Sequence, residues 1–400
     1  MIQLGCVAES FAAAIAIATA AVRASLPSTV LLGAPGQYVP TVDTGCVVVA
    51  MDLHGSVRME ARSALEWLRT IGCEQLMHGF GTAFDRSDDA VIGAVGDTLL
   101  EALGAGFALV CPSTPSANMT TYMGHLFDKA ALSGGPDANL VRALSQQTDG
   151  TVGLVRHAVV RLGTDAIRAA AWALKDQGRR FAIVDALDEG DVVATAAAAL
   201  GQPLVCGTES LAEALAARMP AQSCPLPPTP PGAAAVIAMS SSRATLFQVG
   251  QARATLATLD LDPVATPDAR ALAAAATAWA AGKLGPAPVM IAMTLMPDQA
   301  LRLTKAIGAV AAATLMRDTA ALVAKHLADH GVRRLLLAGM AADGEVVRSL
   351  GVRQMRVVAE IDRGVPWTHA TGDAADMMVG IKPDDAGGRG VLAGAFELLG

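Results

Sequence analysis

The sequence predicts an α/β fold with two α/β domains, each a mainly parallel sheet flanked by helices. Short apolar runs alternate with helix-like stretches along most of the chain. The 400 residues also exceed the roughly 250–300 residues at which a single core stops growing. Alternation of this kind predicts right-handed crossovers between parallel strands, which bring the loops that follow the strands to one edge of the sheet.

The predicted boundary between the two domains is a proline-rich stretch. Residues 223–232, SCPLPPTPPG, contain five prolines in ten residues, a composition that stops regular structure and stiffens the chain. We therefore predict an N-terminal domain over residues 1–222, a linker over residues 223–232 and a C-terminal domain over residues 233–400.

The N-terminal domain is predicted to open with a strand, a turn and a helix. Ile2 to Ala8 is an apolar run, Ser10 can cap a helix through its hydroxyl, and the alanine-rich stretch Phe11 to Ala24 favours helix. Residues 113–121 have the composition of a loop. The remaining predicted elements are strands at 29–32, 46–51, 75–80, 107–111, 152–155 and 181–184, and helices at 59–71, 90–103, 139–147, 167–177 and 191–200.

The C-terminal domain repeats this alternation and ends in a strand, glycine turn, helix and strand. The stretch Leu335 to Ala338 is apolar and breaks at Gly339, and a helix is predicted from about Asp343 to Leu350. A strand that reaches a helix through glycine offers backbone N–H groups to an anion, although many such turns bind nothing. The other predicted elements are strands at 234–239, 288–292 and 355–359, helices at 243–254 and 268–283, and a long helix at about 303–330.

Composition excludes several classes of function. The formal net charge is −7, and no cluster of Lys and Arg offers the basic face that nucleic acid requires. The apolar run Phe11 to Val22 is too short to span a bilayer, so we expect no membrane partner. The six scattered cysteines show neither a zinc-ligand nor a disulfide spacing, which favours a cytoplasmic location. They are Cys6, Cys46, Cys73, Cys111, Cys206 and Cys224.

Several stretches, taken together and in order, resemble the four-carbon acid sugar kinase family. The most specific are Val110 to Phe127, Phe84 to Leu103, and Gly331 to Trp367 with its ending EIDRGVPW, and weaker agreement begins at Val184 and at Ser240. The resemblance implies an N-terminal domain that binds a small sugar acid and a C-terminal domain that binds ATP with Mg²⁺. A homodimer is a further expectation.

For the sugar-acid site, the resemblance implies that Asp85 and Glu9 are catalytic. Asp85 is the carboxylate retained in its motif, and Glu9 stands at one of the family's opening aspartates, where it could act as a general base. Each has a structural alternative, because Asp85 could cap a turn and Glu9 could end a solvated loop. His125 could equally be a packing histidine. The predicted substrate-binding residues are Ser10, Thr82, Arg86, Tyr122 and His125.

For the nucleotide site, the resemblance implies a frame of small and polar residues around ATP. Met340 stands where the family has a glycine, and Asp384 and Asp385 add negative charge that would be unfavourable beside phosphate unless Mg²⁺ bridges them. The serines after the first strand could instead cap the next helix, and we predict no dedicated metal ligands. The predicted nucleotide-binding residues are Ser240, Ser242, Gly339, Glu360, Lys382 and Gly387.

Two cations that the family places in its first site are absent. Gly79 stands for a lysine and Met119 for an arginine, and each lost charged hydrogen bond costs about 1.5–3 kcal/mol unless Arg86, Lys129 or His125 replaces it. Two hypotheses follow. The chain is an ATP-dependent sugar-acid kinase, or it is a catalytically inactive relative that binds a ligand or a partner protein.

Overall fold

The computed structural model divides the chain into two compact units, Met1–Cys224 and Pro225–Gly400. The division falls inside the predicted linker, and the predicted α/β class is confirmed in both units. The structure describes residues 2–36, 40, 42–51, 56–81, 91–129, 131–132 (backbone), 138–340, 342–373 and 375–399.

The N-terminal unit is built on one parallel sheet. The elements of the unit are β1 Leu4–Ala8, α1 Phe11–Arg23, β2 Ser28–Leu32, β3 Cys46–Ala50, α2 Val57–Thr70, β4 Gln75–Gly79, α3 Ile92–Leu103, β5 Ala108–Cys111, β6 Met119–Tyr122, β7 His125–Asp128, β8 Ala131–Leu132, α4 Leu140–Ser145, β9 Val152–Val155, α5 His157–Val160, α6 Thr164–Asp176, β10 Phe181–Val184, α7 Glu189–Ala199, β11 Val205–Gly207 and α8 Glu209–Ala216. The described strands of the parallel sheet lie in the order β2-β3-β1-β4-β11-β5-β10-β9, so β1 and its neighbours direct their carboxyl ends to one edge.

The sheet of this unit is covered by helices, and its strands are correspondingly apolar. Every residue of β3, with the sequence CVVVA, is buried, as expected for a parallel strand with both faces covered. Helix α2 presents Ala61, Ala64, Leu65 and Leu68 to the core on a single face. Burial of this stripe, at helical spacing, fixes which side of α2 meets the sheet.

Buried thiols make the folded chain sensitive to alkaline pH. All six cysteines are free, and burial raises the pKa of Cys46 and of Cys111 to about 12 from the ordinary 9.0. The unfolded chain therefore loses these protons from about pH 9 while the folded chain keeps them, so stability falls as pH rises. We expect the free energy of unfolding, measured by urea titration with reductant, to fall from pH 9 to 11.

Removing one buried thiol tests that expectation. A Cys46→Ala variant is expected to show a smaller fall over the same pH range, because one proton fewer is linked to unfolding. Equal slopes for the variant and the parent chain would show that Cys46 does not contribute.

The segment predicted as a loop at 113–121 contains a strand. β6 pairs antiparallel with β7, with Tyr122 opposite His125, and β8 completes a small sheet. The turn between them, Met123-Gly124, has φ values of +51° and +71°, a left-handed conformation that favours glycine. Serine, threonine and proline dominate the composition here, and because this composition is typical of loops it does not predict a hairpin.

The C-terminal unit also has a parallel core, extended by an antiparallel hairpin. The elements of the unit are β12 Ala233–Ser240, α9 Arg243–Ala252, β13 Ala257–Asp260, α10 Ala269–Ala281, β14 Val289–Thr294, α11 Pro297–Ile307, α12 Ala309–Asp329, β15 Val332–Gly339, α13 Gly344–Ser349, β16 Val352–Asp362, β17 Val365–Gly372, β18 Asp376–Lys382 and α14 Val391–Gly394. The described strands lie in the order β13-β14-β12-β15-β18-β17-β16. The pairs from β13 to β18 are parallel, and β17 is antiparallel to β18 and to β16.

The predicted long helix at 303–330 is two helices. α11 and α12 are separated by Gly308, whose φ of +88° is incompatible with a continuous helix, and their axes bend by 110°. Among the described residues no single helix has the length and apolar composition to cross a membrane, and the bent pair α11–α12 meets those two criteria only together.

The core of the C-terminal unit contains a fully buried tryptophan. Trp367 is 0% exposed, its indole Nε1 donates to the Ala395 carbonyl at 2.8 Å, and its ring lies 5.5 Å from that of Phe396. The hydrogen bond of the indole N–H explains how such a large side chain is buried without an unpaired donor. This packing holds the C-terminal residues against β17.

Candidate nucleotide and sugar-acid sites

Three predicted nucleotide-binding residues lie at the ends of adjacent parallel strands. β12 ends at Ser240, β15 at Gly339 and β18 at Lys382. The strand registers place Met239 beside Gly339 and Ala338 beside Lys382. The carboxyl ends of parallel strands are where α/β sheets bind ligands, and the structure brings these residues together there.

The loop that follows β18 is held by the start of α9. The Ser240 hydroxyl hydrogen-bonds the Asp384 carboxylate, and the hydroxyls of Ser242 and Thr245 donate to the Asp384 carbonyl at 3.2 and 2.8 Å. Gln248, one turn further along α9, donates from Nε2 to three later carbonyls of the loop, the nearest at 2.8 Å. Ser242 also caps α9 by accepting from the Thr245 N–H at 3.2 Å, so the capping alternative applies to it as well.

Lys382 is buried and stabilises this loop through hydrogen bonds from its ammonium group. Its Nζ donates to Thr245 Oγ1 at 2.9 Å, to the Pro383 carbonyl at 2.8 Å and to the Asp384 carbonyl at 2.9 Å. Burial lowers the pKa of Lys382 from the ordinary 10.5 to about 8, and the nearby Asp384 and Asp385 carboxylates oppose that shift. All three ammonium protons are therefore engaged within the protein in this conformation.

Gly339 occupies a position that a larger residue would not fit. Its φ is +68°, and a Cβ built there would lie 2.5 Å from the Met239 carbonyl oxygen and 2.7 Å from Asp384 Oδ1. The next residue, Met340, donates its backbone N–H to the same Met239 carbonyl at 2.7 Å. Backbone conformation and close approach thus both require glycine at the end of β15.

The β16–β17 hairpin contributes two carboxylates with different contacts. Glu360 Oε1 accepts from the Gly364 N–H at 2.6 Å, a contact within the turn that joins the two strands. Asp362 Oδ2 accepts from the Gly388 N–H at 2.5 Å. Asp362 is therefore the hairpin residue that contacts the loop containing Gly387.

At the N-terminal sheet, Glu9 lies at the carboxyl edge next to the end of β4. Its backbone N–H donates to the Gly79 carbonyl at 3.0 Å, and its Oε1 accepts from the Gly81 N–H at 3.0 Å. Ser10 accepts from the Ala13 N–H at 3.2 Å and so acts as the N-cap of α1. The predicted site residues Asp85, Thr82 and Arg86 lie outside the described residues.

Asp185, directly after β10, holds the turn of the β6–β7 hairpin. Its carboxylate accepts from the N–H groups of Met123, Gly124 and His157, each at 2.9 Å. Burial raises the pKa of Asp185 above its ordinary 3.8, and these three hydrogen bonds oppose the shift. Sequence reasoning missed Asp185, although a carboxylate immediately after the apolar run at 181–184 was an available signal.

The turn held by Asp185 presents Tyr122 and His125. Tyr122 is 46% exposed, and its ring meets that of His157 edge to face at 6.1 Å. His157 Nε2 in turn lies 3.1 Å from Asp191 Oδ2. His125 Nδ1 lies 2.8 Å from the Met123 carbonyl oxygen. Both predicted residues are therefore on one partly exposed hairpin next to the carboxyl edge of the sheet.

Similarity to known proteins shows the family to which this chain belongs. Residues 16–215 match a sugar-binding N-terminal domain and residues 235–392 a nucleotide-binding C-terminal domain. A 3-oxo-tetronate kinase from Burkholderia multivorans is 35% identical over 96% of this chain and 94% of its own. One from Pseudomonas fluorescens is 34% identical over 99% and 97%. The chain belongs to the four-carbon acid sugar kinase family.

The similarity of this chain to other members of the four-carbon acid sugar kinase family includes the fold. The crystal structure of a Salmonella typhimurium LT2 protein, provisionally described as a tRNA synthase, has a TM-score of 0.88 at 28% identity, over 99% of both chains. The sequence relatives, rather than that provisional description, identify the family.

Two positions that carry cations in the motifs of the four-carbon acid sugar kinases are filled differently here. A Cβ at Gly79 would lie 2.3 Å from Ile17 Cδ1 and 2.8 Å from Cys6 Sγ, so the space for a side chain is occupied. Met119 is 8% exposed and packs in the core. Any cation for a sugar-acid carboxylate must therefore come from another position of this family member.

The residues at the carboxyl edge of the sheet in the C-terminal unit fit a nucleotide that carries its own Mg²⁺. Gly387 has a φ of +81°, and the hydroxyls of Ser240, Ser242 and Thr245 adjoin the same loop. Within the described ranges, no group of three or more His, Cys, Asp or Glu side chains forms a metal site. Mg²⁺ commonly binds through substrate phosphates with one or two carboxylates, a role that Asp384 or Asp385 of this kinase family member could fill.

Proposed function

We propose that the chain is an ATP-dependent kinase that phosphorylates a hydroxyl of a small four-carbon sugar acid such as a tetronate. The observation that carries this proposal is the convergence of Ser240, Gly339 and Lys382 at the ends of three adjacent strands, beside a glycine-containing loop. The names of the curated relatives support a 3-oxo-tetronate as the class of substrate.

In the proposed reaction, a hydroxyl oxygen of the sugar acid forms a bond to the γ-phosphorus while the bond to the bridging oxygen of ADP breaks. ATP supplies the phosphoryl group, and Mg²⁺ neutralises its charge. Ser240, Ser242 and the backbone around Gly339 and Gly387 position the nucleotide. Glu9 takes the proton of the hydroxyl, because it lies at the carboxyl edge of the N-terminal sheet with its orientation fixed by the Gly81 N–H.

The second candidate function is that of a catalytically inactive relative that binds a ligand or a partner. The occupied space at Gly79, the buried Met119 and the internal engagement of all three Lys382 protons favour it. We rank the kinase first because Arg86, Lys129 or His125 could supply the missing cation. We also propose that the protein is cytoplasmic. We propose a homodimer as its assembly, which light scattering can test.

Replacing Glu9 with glutamine separates catalysis from binding. We expect Glu9→Gln to lower ADP release with a four-carbon acid by about 100-fold or more, because general bases contribute roughly 10²–10⁴-fold. Calorimetry should show unchanged Mg-ATP affinity, since Glu9 belongs to the N-terminal unit. The matched control is Glu74→Gln, which alters an exposed carboxylate.

The parent chain decides between the two functions. Saturable binding of Mg-ATP and acid-dependent ADP release support the kinase. An absence of heat and of a thermal shift at millimolar Mg-ATP would leave the inactive relative as the better description. Full turnover in Glu9→Gln would show that another residue is the general base. Asp85→Ala would then test the other catalytic residue that the resemblance implies.

A further inference from the structure

An aromatic ring and a guanidinium stack on the surface of the C-terminal unit. Phe247, in α9, is 46% exposed, and the guanidinium carbon of Arg389 lies 5.4 Å from the centroid of its ring. Part of the ring remains open to solvent in this arrangement. An exposed ring with a cation beside it provides a surface on which another flat ring can stack.

The position of Arg389 is set by the loop that the nucleotide site already uses. Gln248, next to Phe247 in the chain, donates from Nε2 to the carbonyls of Ala386, Gly387 and Gly388 at 3.2, 2.8 and 3.2 Å. These bonds tie the loop to α9 immediately before Arg389. The stacked pair is therefore part of the same structure as Ser242 and Asp384, and is not an isolated surface contact.

Gln248 also carries an acceptor that lacks a donor. The residue is 3% exposed, and its Oε1 is buried with no hydrogen-bond partner in the described part of the chain. The amide cannot be turned over, because its Nε2 already faces three carbonyls. A buried acceptor without a partner is costly, so this position favours a ligand that brings an N–H group.

The spacing along α9 suits a nucleotide. Ser242, the N-cap beside the proposed phosphate position, precedes Phe247 by five residues, which is about 7.5 Å of helix. A ribose with its phosphates can cross that distance. A nucleotide whose phosphates lie at the start of α9 can thus bring its base to Phe247.

We propose that Phe247 and Arg389 form a stacking site for the purine base of the nucleotide, and that Gln248 Oε1 accepts a hydrogen bond from the exocyclic amino group of adenine. This inference rests on the proposed function. Guanine carries a carbonyl at the position of that amino group, so the site prefers ATP to GTP. Because Oε1 is shielded from solvent, the contact forms with a shift of residues 386–389.

Inorganic tripolyphosphate provides a probe that lacks the base. Calorimetry would compare Mg-ATP, Mg-GTP and Mg-tripolyphosphate on the parent chain and on Phe247→Ala. We expect Phe247→Ala to weaken Mg-ATP binding by about tenfold and to leave tripolyphosphate unchanged, because loss of base stacking affects only the nucleotide. The matched control is Leu301→Ala, which truncates another exposed apolar side chain of this unit (53% exposed).

A second variant, Arg389→Ala, changes an exposed residue and is expected to weaken Mg-ATP binding in the same selective way. Unchanged Mg-ATP affinity in both variants would overturn the stacking site, and so would an equal loss of tripolyphosphate affinity. Equal affinity of the parent chain for ATP and GTP would overturn the role of Gln248. Failure of the parent chain to bind Mg-ATP would reject the proposed function itself, before any variant is compared.

Discussion

Replacing Asp185 with alanine is expected to lower the free energy of unfolding of the N-terminal unit by roughly 3–5 kcal/mol. The change would leave the N–H groups of Met123, Gly124 and His157 without their acceptor, in a place where the carboxylate is fully buried. The β6–β7 hairpin would lose this attachment to the residue that follows β10, while the backbone hydrogen bonds between Thr121 and Ala186 would remain. Urea titration measures the loss, and hydrogen exchange at Met123 and Gly124 should accelerate with it.

Asparagine at the same position gives a graded comparison. Asp185→Asn removes the cost of the buried charge and keeps one acceptor oxygen, so we expect a smaller loss than for alanine. Asp176→Asn changes an exposed aspartate of α6 and serves as the control for charge. If Asp185→Ala unfolded at the same urea concentration as the parent, the three hydrogen bonds would not contribute measurably to stability.

Replacing Lys382 with methionine is expected to weaken Mg-ATP binding by about tenfold or more. Methionine fills a similar volume but cannot donate to Thr245 Oγ1 or to the carbonyls of Pro383 and Asp384. The loop after β18 would then lose the hydrogen bonds that Lys382 donates to it. Calorimetry with Mg-ATP measures the effect, and Lys283→Met, which removes an exposed lysine of the same unit, is the control.

The same variant has a distinctive pH dependence. Burial lowers the pKa of Lys382 to about 8 from 10.5, so between these pH values the unfolded chain holds a proton that the folded chain has released. Stability due to this group therefore rises with pH across that window. We expect the parent chain to gain roughly 3 kcal/mol relative to Lys382→Met from pH 8 to 10.5.

Comparing the two proteins removes the opposite contribution of the buried thiols, which both contain. A constant difference in stability between pH 7 and 11 would mean that Lys382 titrates normally and is not desolvated as the structure indicates.

Local sequence patterns were sufficient to predict most of the fold. Continuous apolar runs such as the one in β3 identify strands covered on both faces, and the division between Cys224 and Pro225 falls within the proline-rich stretch. The patterns failed where the backbone conformation of one residue decided the outcome. Gly308 ends α11 with a positive φ, and Met123-Gly124 turns a polar segment into a hairpin.

The candidate sites were predictable to the extent that they lie at strand ends. Ser240 and Gly339 each follow a predicted apolar strand, so their proximity could be anticipated from parallel topology, whereas the strand that ends at Lys382 was not predicted. Asp185 and Gln248 could not be found in this way. Their partners lie 61 and 139 residues away at Gly124 and Gly387, and only tertiary packing determines those contacts.

The buried indole of Trp367 provides an intrinsic optical label for one half of the molecule. Its fluorescence reports an apolar environment while the C-terminal unit is folded and shifts to longer wavelength when water reaches it. Trp172 in the N-terminal unit is 61% exposed, so its emission changes far less on unfolding. Trp67 of the N-terminal unit packs partly against its core, so in a Trp67→Phe background emission near the blue edge follows the C-terminal unit, while far-ultraviolet circular dichroism follows both units. Recorded on one sample, the two signals separate a change at Lys382 from a change at Asp185.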